Sequence, residues 1–173
     1  MTISVSEGTK VHASIVHLNR DDLTDLDVDA FVFYAEHDLK LGSGYGTAIS
    51  IRGGPTVQKE LDELAPLETC QAVVSGAGKL KADYIVHAVG PRFQEPDTES
   101  KLRTTMRNVL ELVEANEIRR IAFPPMGAGY YGIPADLCAR VMLEVLESHL
   151  AGTTCIEEVI ISVLDSRQFE AFR

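Results

Sequence analysis

The chain has 173 residues, of which 45% are hydrophobic and 24% are charged, and its formal net charge is −10. This length suits one domain with a single sizeable core, and the composition is that of a globular protein rather than a disordered one. The excess of acidic residues works against sequence-independent binding to DNA or RNA, which are themselves negatively charged. We therefore expect a single domain over residues 1–173, with no direct nucleic-acid binding.

The N-terminal segment MTISVSE lacks both a basic start and an apolar core, and no apolar run is long enough to span a membrane. These features favour neither a signal peptide nor a membrane protein, so we expect a cytoplasmic location. Cys70, Cys138 and Cys155 stand in no C-x-x-C pair and in no spacing typical of metal ligands. We expect them to be reduced and mostly packed, and we expect no metal site.

In the first part of the chain, residues 11–18 alternate between apolar and polar side chains and predict a strand. Residues 28–35 are β-branched and aromatic enough for a buried strand, and they lead towards the loop LGSGYG at residues 41–46. A short helix is predicted over residues 47–52. A second helix is predicted to begin at Pro55, because proline suits the first helical position and the apolar residues after it are spaced by three and four.

Two strands are predicted next, at residues 72–75 and 83–89. Apolar residues at helical spacing between residues 102 and 113 then indicate a long amphipathic helix. A strand at residues 121–125 leads into a second glycine-rich loop, MGAGYYG, at residues 126–132.

The chain closes with a helix predicted to start near Pro134, a strand at residues 158–164 and a terminal helical turn or two over residues 166–172. Strands alternate with helices through most of the length. This order favours an α/β fold in three layers, with a mixed, mainly parallel central sheet and helices on both faces.

Both glycine-rich loops follow predicted strands, so we expect both at the carboxyl edge of the sheet, where α/β folds bind ligands. Glycines let the backbone come close to a ligand, and the amides at the start of a helix carry partial positive charge. One such loop can be a turn that binds nothing. Two loops, both without charged side chains, are predicted to hold one diphosphate from two sides.

The second loop also matches the dinucleotide fingerprint G-x-G-x-x-G at Gly127, Gly129 and Gly132. In a Rossmann unit an acidic residue follows at the end of the next strand, about 20 residues on. Here Glu144 and Glu147 fall inside the predicted helix, and the chain has no room for a separate substrate domain. A redox enzyme is therefore not expected.

Several segments, taken in order from Asp22 to the last strand, resemble the macrodomain family, and the resemblance covers most of the chain. Its most specific pieces are the strand end IVHAVGP at residues 85–91 and the segment IAFP at residues 121–124, which leads into GAGYYG. The resemblance implies the three-layer macrodomain fold and binding of ADP-ribose. Some members of the family hydrolyse ADP-ribose from modified proteins, and some deacetylate O-acetyl-ADP-ribose.

The resemblance also implies roles for individual residues. Asp22 would accept a hydrogen bond from the adenine amino group, the backbone of Leu23 would help there, and Leu164 would cover the adenine face. Tyr131 would pack near the distal ribose. The first phosphate loop would consist of Gly42, Ser43, Gly44 and Tyr45. The second phosphate loop would consist of Gly127, Ala128, Gly129, Tyr130 and Tyr131.

Other interpretations of these residues stay open. Asp22 suits a helix N-cap or a turn equally well by residue type. Tyr45 and Tyr131 can pack against neighbouring helices instead of a ligand. His87 alternates with apolar residues on a strand, so we interpret it as a core histidine with its hydrogen bonds satisfied. His37 lies just before the first loop, and the sequence does not assign it a role.

The chain departs from the family pattern at the positions that matter for chemistry. Macrodomains commonly have an Asn-Ala-Ala-Asn run where this chain has residues 33–36, FYAE, so Glu36 replaces the asparagine that usually contacts the distal ribose. Many hydrolytic members have an aspartate at the position of Gly46. The usual hydrolase residues are missing, while the binding loops are kept.

We hypothesise that Glu36, with Asp38, replaces these missing residues. A carboxylate can accept hydrogen bonds from ribose hydroxyls and can deprotonate a water that attacks the anomeric carbon. The chain would then hydrolyse ADP-ribose from modified acidic side chains without a cofactor. The alternative is a non-catalytic reader of ADP-ribosylation or a binder of free ADP-ribose derivatives. The expected partner is ADP-ribose or an ADP-ribosylated protein, and the chain is expected to be a monomer.

Overall fold

The computed structural model describes residues 8–42 and 44–173. Within these ranges the chain forms one sheet with helices on both of its faces. The strands are β1 (Thr9–Val11), β2 (Ser14–Asn19), β3 (Ala30–Tyr34), β4 (Ala72–Gly76), β5 (Tyr84–Ala88), β6 (Arg120–Phe123) and β7 (Glu158–Ser162). The helices are α1 (Tyr45–Gly53), α2 (Pro55–Leu64), α3 (Thr98–Ala115), α4 (Ala135–Leu150) and α5 (Ser166–Phe172). Two short 3-10 helices lie at Leu23–Asp25 and Gly129–Tyr131.

The sheet has the order β1-β2-β7-β6-β3-β5-β4. The neighbours from β2 to β5 pair in parallel, whereas β1 and β4 pair antiparallel at the two edges. The predicted mixed, mainly parallel sheet is therefore confirmed. Because the central strands run in one direction, the loops that follow β2, β3, β5, β6 and β7 all emerge at the same edge.

The layers follow from the alternation of side chains along each strand. In β3, Ala30, Val32 and Tyr34 join one apolar cluster with residues of α3, α4 and α5. Phe31 points to the opposite face and joins a second cluster with Ile49 of α1 and residues of α2. These two buried clusters on opposite faces of one sheet confirm the predicted three-layer α/β/α arrangement.

The single strand predicted at residues 11–18 is wrong. The chain reverses after Val11, which pairs with Ser14, and it forms the antiparallel strands β1 and β2. His12 adopts a left-handed φ of 55° in the turn between them. Alternation of apolar and polar residues continues across such a tight turn, so the pattern alone does not reveal the reversal.

The ends of the other elements lie close to their predicted positions. Pro55 is the first residue of α2, as predicted. The short helix α1 begins at Tyr45, directly after the first glycine-rich loop and two residues before its predicted start. Pro134 forms the N-cap of α4, so the second glycine-rich loop also leads into a helix.

His87 is fully buried on β5, as predicted, but only one of its ring nitrogens has a partner. Its Nε2 lies 2.8 Å from the hydroxyl of Ser75, whereas Nδ1 has no hydrogen-bond partner in the part of the chain that the structure describes. The prediction of a satisfied histidine is therefore wrong for one nitrogen. Burial lowers the pKa of His87 to about 3, because desolvation penalises the charged ring.

The cysteines are free, with Cys138 buried and Cys70 and Cys155 half-buried, in line with the prediction of reduced, packed thiols. Over residues 8–42 and 44–173, no helix is both long and apolar enough to cross a membrane. The same residues contain no group of three or more histidine, cysteine, aspartate or glutamate side chains placed to hold a metal ion.

Candidate functional site

A large cavity, which we call the main cavity, opens at the carboxyl edge of the sheet and has a volume of about 600 Å³. Segments that follow β2, β3, β6 and β7 line it, so four parallel strands deliver residues to one place. Both glycine-rich loops reach this cavity. The predicted site residues that line it are Asp22, Gly44, Tyr45, Gly127, Ala128, Gly129, Tyr130, Tyr131 and Leu164.

A second cavity of about 500 Å³, the side pocket, adjoins the main cavity. Phe33, Tyr130 and Tyr131 line both cavities and form the wall between them. The side pocket also contains the predicted residues Glu36, Asp38 and Gly42, together with Arg92. The two cavities form one extended cleft, and its two halves meet at Tyr131.

Two predicted site residues, Leu23 and Ser43, are not among the described residues that line the cleft. Leu23 is fully buried, backbone included, and lines neither cavity, so the structure does not place it where a ligand near Asp22 could contact it. Ser43 lies outside the described residues. The remaining predicted site residues are brought together in the cleft.

The first glycine-rich loop ends at Gly44, which has a left-handed φ of 58° and directly precedes α1. The backbone amide of Thr47 donates to the Gly44 carbonyl, which begins the helical hydrogen bonding. Earlier amides of a first helical turn have no carbonyl partner within the helix, and the helix dipole adds partial positive charge there. This end of the main cavity therefore suits an anion.

The second glycine-rich loop needs glycine for two different reasons. A Cβ on Gly127 would lie 2.4 Å from Cδ1 of Ile133, so this position has no space for a side chain. Gly129 has a left-handed φ of 77°, but a Cβ there would meet nothing within 4 Å, because its backbone faces open space. The backbone of Gly129 is thus exposed to whatever enters the main cavity.

Asp22 has the N-cap role that its residue type suggested, and it also lines the main cavity. Its Oδ1 accepts hydrogen bonds from the Thr24 amide at 2.9 Å and from the Thr24 hydroxyl at 2.8 Å. Its Oδ2 accepts from Nη2 of Arg52 at 2.8 Å. Burial alone would raise the pKa of Asp22, but the bonds from Thr24 and Arg52 lower it below its ordinary value.

Aromatic and aliphatic side chains supply the apolar surface of the main cavity. Tyr45 is half-buried, and burial raises the pKa of its phenol to about 12. Its hydroxyl has no hydrogen-bond partner among residues 8–42 and 44–173. Tyr130 and Leu164 line the cavity and are mostly exposed, so their side chains are accessible to a ligand.

Glu36 lines the side pocket next to Tyr131, which lines both cavities, and it is held by two partners. Its Oε1 accepts a hydrogen bond from the Tyr131 hydroxyl at 3.0 Å, and its Oε2 accepts from Nη2 of Arg92 at 2.6 Å. The guanidinium carbon of Arg92 also lies 5.7 Å from the centre of the Tyr131 ring. Burial and the neighbouring Glu36 carboxylate both raise the pKa of Tyr131, so its hydroxyl remains protonated and donates.

Asp38 also lines the side pocket, but it is exposed and is not part of the Glu36 cluster. Its Oδ1 accepts from the backbone amide of Lys40 at 3.0 Å. His37, which the sequence left open, has its Nδ1 2.8 Å from the Leu67 carbonyl. Glu36 is therefore held in place by the side chains of Tyr131 and Arg92, whereas Asp38 is exposed at the rim of the side pocket.

Gly46 is buried in the first turn of α1, where a side chain would crowd its neighbours. A Cβ there would lie 3.1 Å from the Leu41 carbonyl carbon and 3.3 Å from the Phe33 ring. Gly46, where the resemblance implied an aspartate in many hydrolytic macrodomains, is thus packed tightly between the loop and β3.

The sequence analysis missed Arg92 as a site residue. Arg92 follows Gly90 and Pro91 at the end of β5, which is the same edge from which the glycine-rich loops emerge. The sequence feature that could have identified Arg92 is a cationic residue directly after the end of a strand at that edge. Its partner Glu36 is 56 residues away in the sequence, so the pairing itself was not visible there.

Several known proteins are similar to this chain in sequence or in fold. A family model described as Macro domain matches residues 34–142. A macro domain-containing protein of Caldanaerobacter subterraneus subsp. tengcongensis is 33% identical, with 91% of this chain and 93% of that protein covered. O-acetyl-ADP-ribose deacetylase 1 of Pantoea vagans is 29% identical, with 87% and 92% covered. A solved structure of an Oceanobacillus iheyensis macrodomain mutant with ADPR has a TM-score of 0.89 at 25% identity, with 95% and 93% covered.

Proposed function

The chain belongs to the macrodomain family, and from this premise we propose that it binds ADP-ribose along the cleft formed by the main cavity and the side pocket. The observation that carries the proposal is that both glycine-rich loops line one cavity at the carboxyl edge of the sheet. The related Oceanobacillus iheyensis macrodomain, whose structure contains ADPR, shares this fold over most of both chains.

We assign the parts of the ligand to parts of the cleft. The adenine lies beside Asp22 and Leu164, the diphosphate lies between Gly44 and Gly129, and the distal ribose lies against Tyr131. Among the described residues that line the main cavity, Arg20 is the only cation. Backbone amides at the two helix starts therefore do most of the work of holding the diphosphate.

We further propose that the protein hydrolyses ADP-ribose from modified acidic side chains, which are joined to the distal ribose by an ester. Two relatives named O-acetyl-ADP-ribose deacetylase, both at 29% identity, support ester hydrolysis as a class of reaction. Glu36 supports it by its place in the side pocket beside Tyr131, where each carboxylate oxygen keeps a lone pair beyond the bonds to Tyr131 and Arg92.

In the proposed reaction, Glu36 accepts a proton from a water molecule. The water oxygen forms a bond to the anomeric carbon, the bond from that carbon to the ester oxygen breaks, and the acidic side chain leaves as a carboxylate. Asp38, at the rim of the same pocket, is the second carboxylate of this proposal. We propose that the whole chain acts as one domain and as a cytoplasmic monomer, with ADP-ribose or an ADP-ribosylated protein as its partner.

A non-catalytic reader is the second candidate, and two observations favour it. Glu36 already accepts two hydrogen bonds, which hold it as a structural group and reduce its freedom to act as a base. The aspartate that the macrodomain resemblance implies for many hydrolytic members is replaced by Gly46, and a side chain there would crowd Leu41 and Phe33.

Calorimetric titration with ADP-ribose, AMP and NAD tests the binding proposal. We expect ADP-ribose to bind most tightly, because it fills both cavities without the nicotinamide that NAD adds beside Tyr131. AMP occupies only the part of the main cavity near Asp22. Equal affinity for the three ligands would contradict the assignment of the distal ribose.

Release of ADP-ribose from a protein modified on acidic residues separates the hydrolase from the reader. We expect the wild type to release free ADP-ribose and Glu36→Gln to release it at least tenfold more slowly, since the amide cannot accept the proton. Glu111→Gln, on an exposed position of α3, is the matched control. Unchanged turnover in Glu36→Gln would remove Glu36 from the mechanism, and retention of the modified protein without release would identify a reader.

A further inference from the structure

Arg92 brings unused hydrogen-bond donors into the side pocket. Its guanidinium carries five N–H groups, and the structure records only the Nη2 bond to Glu36 within residues 8–42 and 44–173. The side chain is 52% exposed and lines the pocket, so a ligand in the pocket can reach the guanidinium. Nothing in the assignment of ADP-ribose itself uses these donors.

The backbone around Arg92 is fixed to both neighbouring walls of the cleft. The Tyr34 hydroxyl, at the end of β3, donates to the carbonyl of Pro91. The amide of Phe93 donates to the carbonyl of Tyr131 at 3.0 Å. The guanidinium is therefore held between two anchored residues and against Glu36, rather than on a free loop, and its donors are positioned before a ligand arrives.

The side pocket has space for more than the ribose. Its volume of about 500 Å³ is within the range of complete small-molecule sites, although it is only the distal half of the cleft. A group attached to the distal ribose therefore enters the space beside Arg92. The chemistry of that pocket decides which attached groups are favoured.

The charges that line the side pocket balance one another. Glu36 and Asp38 are opposed by Arg92 and Lys40, and Lys40 is already paired with Asp62 at 2.9 Å. Because Lys40 is paired with Asp62, Arg92 is the cationic side chain among the described lining residues whose donors remain for a ligand. These N–H groups favour an attached group that carries an acceptor oxygen.

We propose that Arg92 is a specificity-determining residue that donates to the carbonyl oxygen of an acyl group on the distal ribose. The inference rests on the proposed binding of ADP-ribose and names the class of attached group that the same site prefers. An acyl linkage to an acidic side chain has this oxygen, whereas an O-glycosidic linkage to serine does not. A site built to hydrogen-bond a group discriminates strongly against the analogue that lacks it, because its donors are then left unpaired.

Equilibrium titration with two peptides of otherwise identical sequence tests this assignment. One carries ADP-ribose through an amide, which keeps the carbonyl oxygen but resists hydrolysis, and the other carries it through an O-glycosidic bond to serine. We expect the wild type to bind the amide-linked peptide about tenfold more tightly, as one hydrogen bond from a charged donor implies. In Arg92→Met this ratio is expected to fall to about one, since the donors are removed.

Arg107→Met, an exposed arginine of α3 away from the cleft, is the matched control and is expected to keep the tenfold ratio. If Arg92→Met does not fold, Arg92→Leu gives the same comparison. A ratio near one in the wild type, or a ratio that survives both Arg92 substitutions, would overturn the role of Arg92 while binding of free ADP-ribose stays intact. Failure of the wild type to bind free ADP-ribose would overturn the proposed function itself.

Discussion

At the scale of single residues, His87 shows how burial alone changes the behaviour of a side chain. It lies on β5, where Phe33 of β3 and Val73 of β4 are its neighbours in register on either side. Only Ser75 offers it a hydrogen bond, and no charged partner is recorded for it among the described residues. The ring is therefore neutral in the folded protein throughout the physiological pH range.

We predict that His87 makes the folded protein less stable in mild acid. The pKa of His87 is lowered from 6.5 to about 3 in the folded state, so between these values the unfolded chain binds a proton that the folded chain does not. Stability therefore falls as pH decreases through this window, by up to about 1.4 kcal/mol per pH unit. Urea unfolding of the wild type and His87→Leu at pH 7.5, 6 and 5 measures the effect, and the difference between the two isolates this histidine.

Ser75→Ala is the matched control for that measurement. It removes the hydrogen bond to Nε2 but leaves the titrating ring in place, so its stability should follow the pH dependence of the wild type. Parallel pH profiles for the wild type and His87→Leu would show that burial of the ring does not govern acid stability.

A site residue could be predicted from the sequence when its role depends on the local backbone, and not when it depends on contacts between distant segments. Gly44 and Gly129 were predictable because a left-handed backbone after a strand end is encoded by glycine at that position. Arg92 and the second hydrogen bond of Glu36 were not, because they join loops that are distant in the sequence through long side chains. The unpaired Nδ1 of His87 could not be predicted from the sequence either, because it depends on which atoms pack around the ring.

At the scale of elements, the second glycine-rich loop is the part of the site most open to a direct test. We predict that Gly129→Glu abolishes binding of ADP-ribose. The added side chain projects into open space in the main cavity, where it places a negative charge at the proposed diphosphate position. Calorimetric titration measures the loss.

Gly129→Ala separates charge from backbone strain. Alanine at a φ of 77° is strained by about 1–2 kcal/mol, but it adds only a methyl group, so we expect it to retain most of the binding. Thermal melting of both variants checks that the loop change leaves them folded. An equal loss of binding in both variants would show that strain, rather than charge, is responsible.

Element types were well predicted where the local pattern and the tertiary structure agreed. The apolar face of α3 and the proline that begins α2 are encoded within the element itself. The hairpin of β1 and β2 was missed because the turn at His12 contains none of the usual turn residues and its alternation imitates a continuous strand.

At the scale of the whole molecule, an acidic chain is proposed to hold an acidic ligand. The net charge of −10 repels a diphosphate at long range, and the loops attract it only at short range through neutral amides. Added salt screens the long-range repulsion and leaves the short contacts largely unchanged.

We therefore predict that the affinity for ADP-ribose stays within about twofold, or rises, when ionic strength increases from about 0.02 M to about 0.2 M. Titrations at fixed pH over this range of salt measure it. A steep fall in affinity would show instead that cationic side chains, rather than amides, hold the diphosphate.

The distribution of tyrosines gives the molecule an optical property that suits these experiments. Tyr34, Tyr45, Tyr130 and Tyr131 all line the main cavity, the fifth tyrosine, Tyr84, lies at the start of β5, and the sequence has no tryptophan. Ultraviolet emission from this protein thus comes mainly from the cleft, without a brighter indole to mask it. A nucleotide that stacks there should quench the intrinsic fluorescence, so occupancy can be followed in real time without a dye or a label.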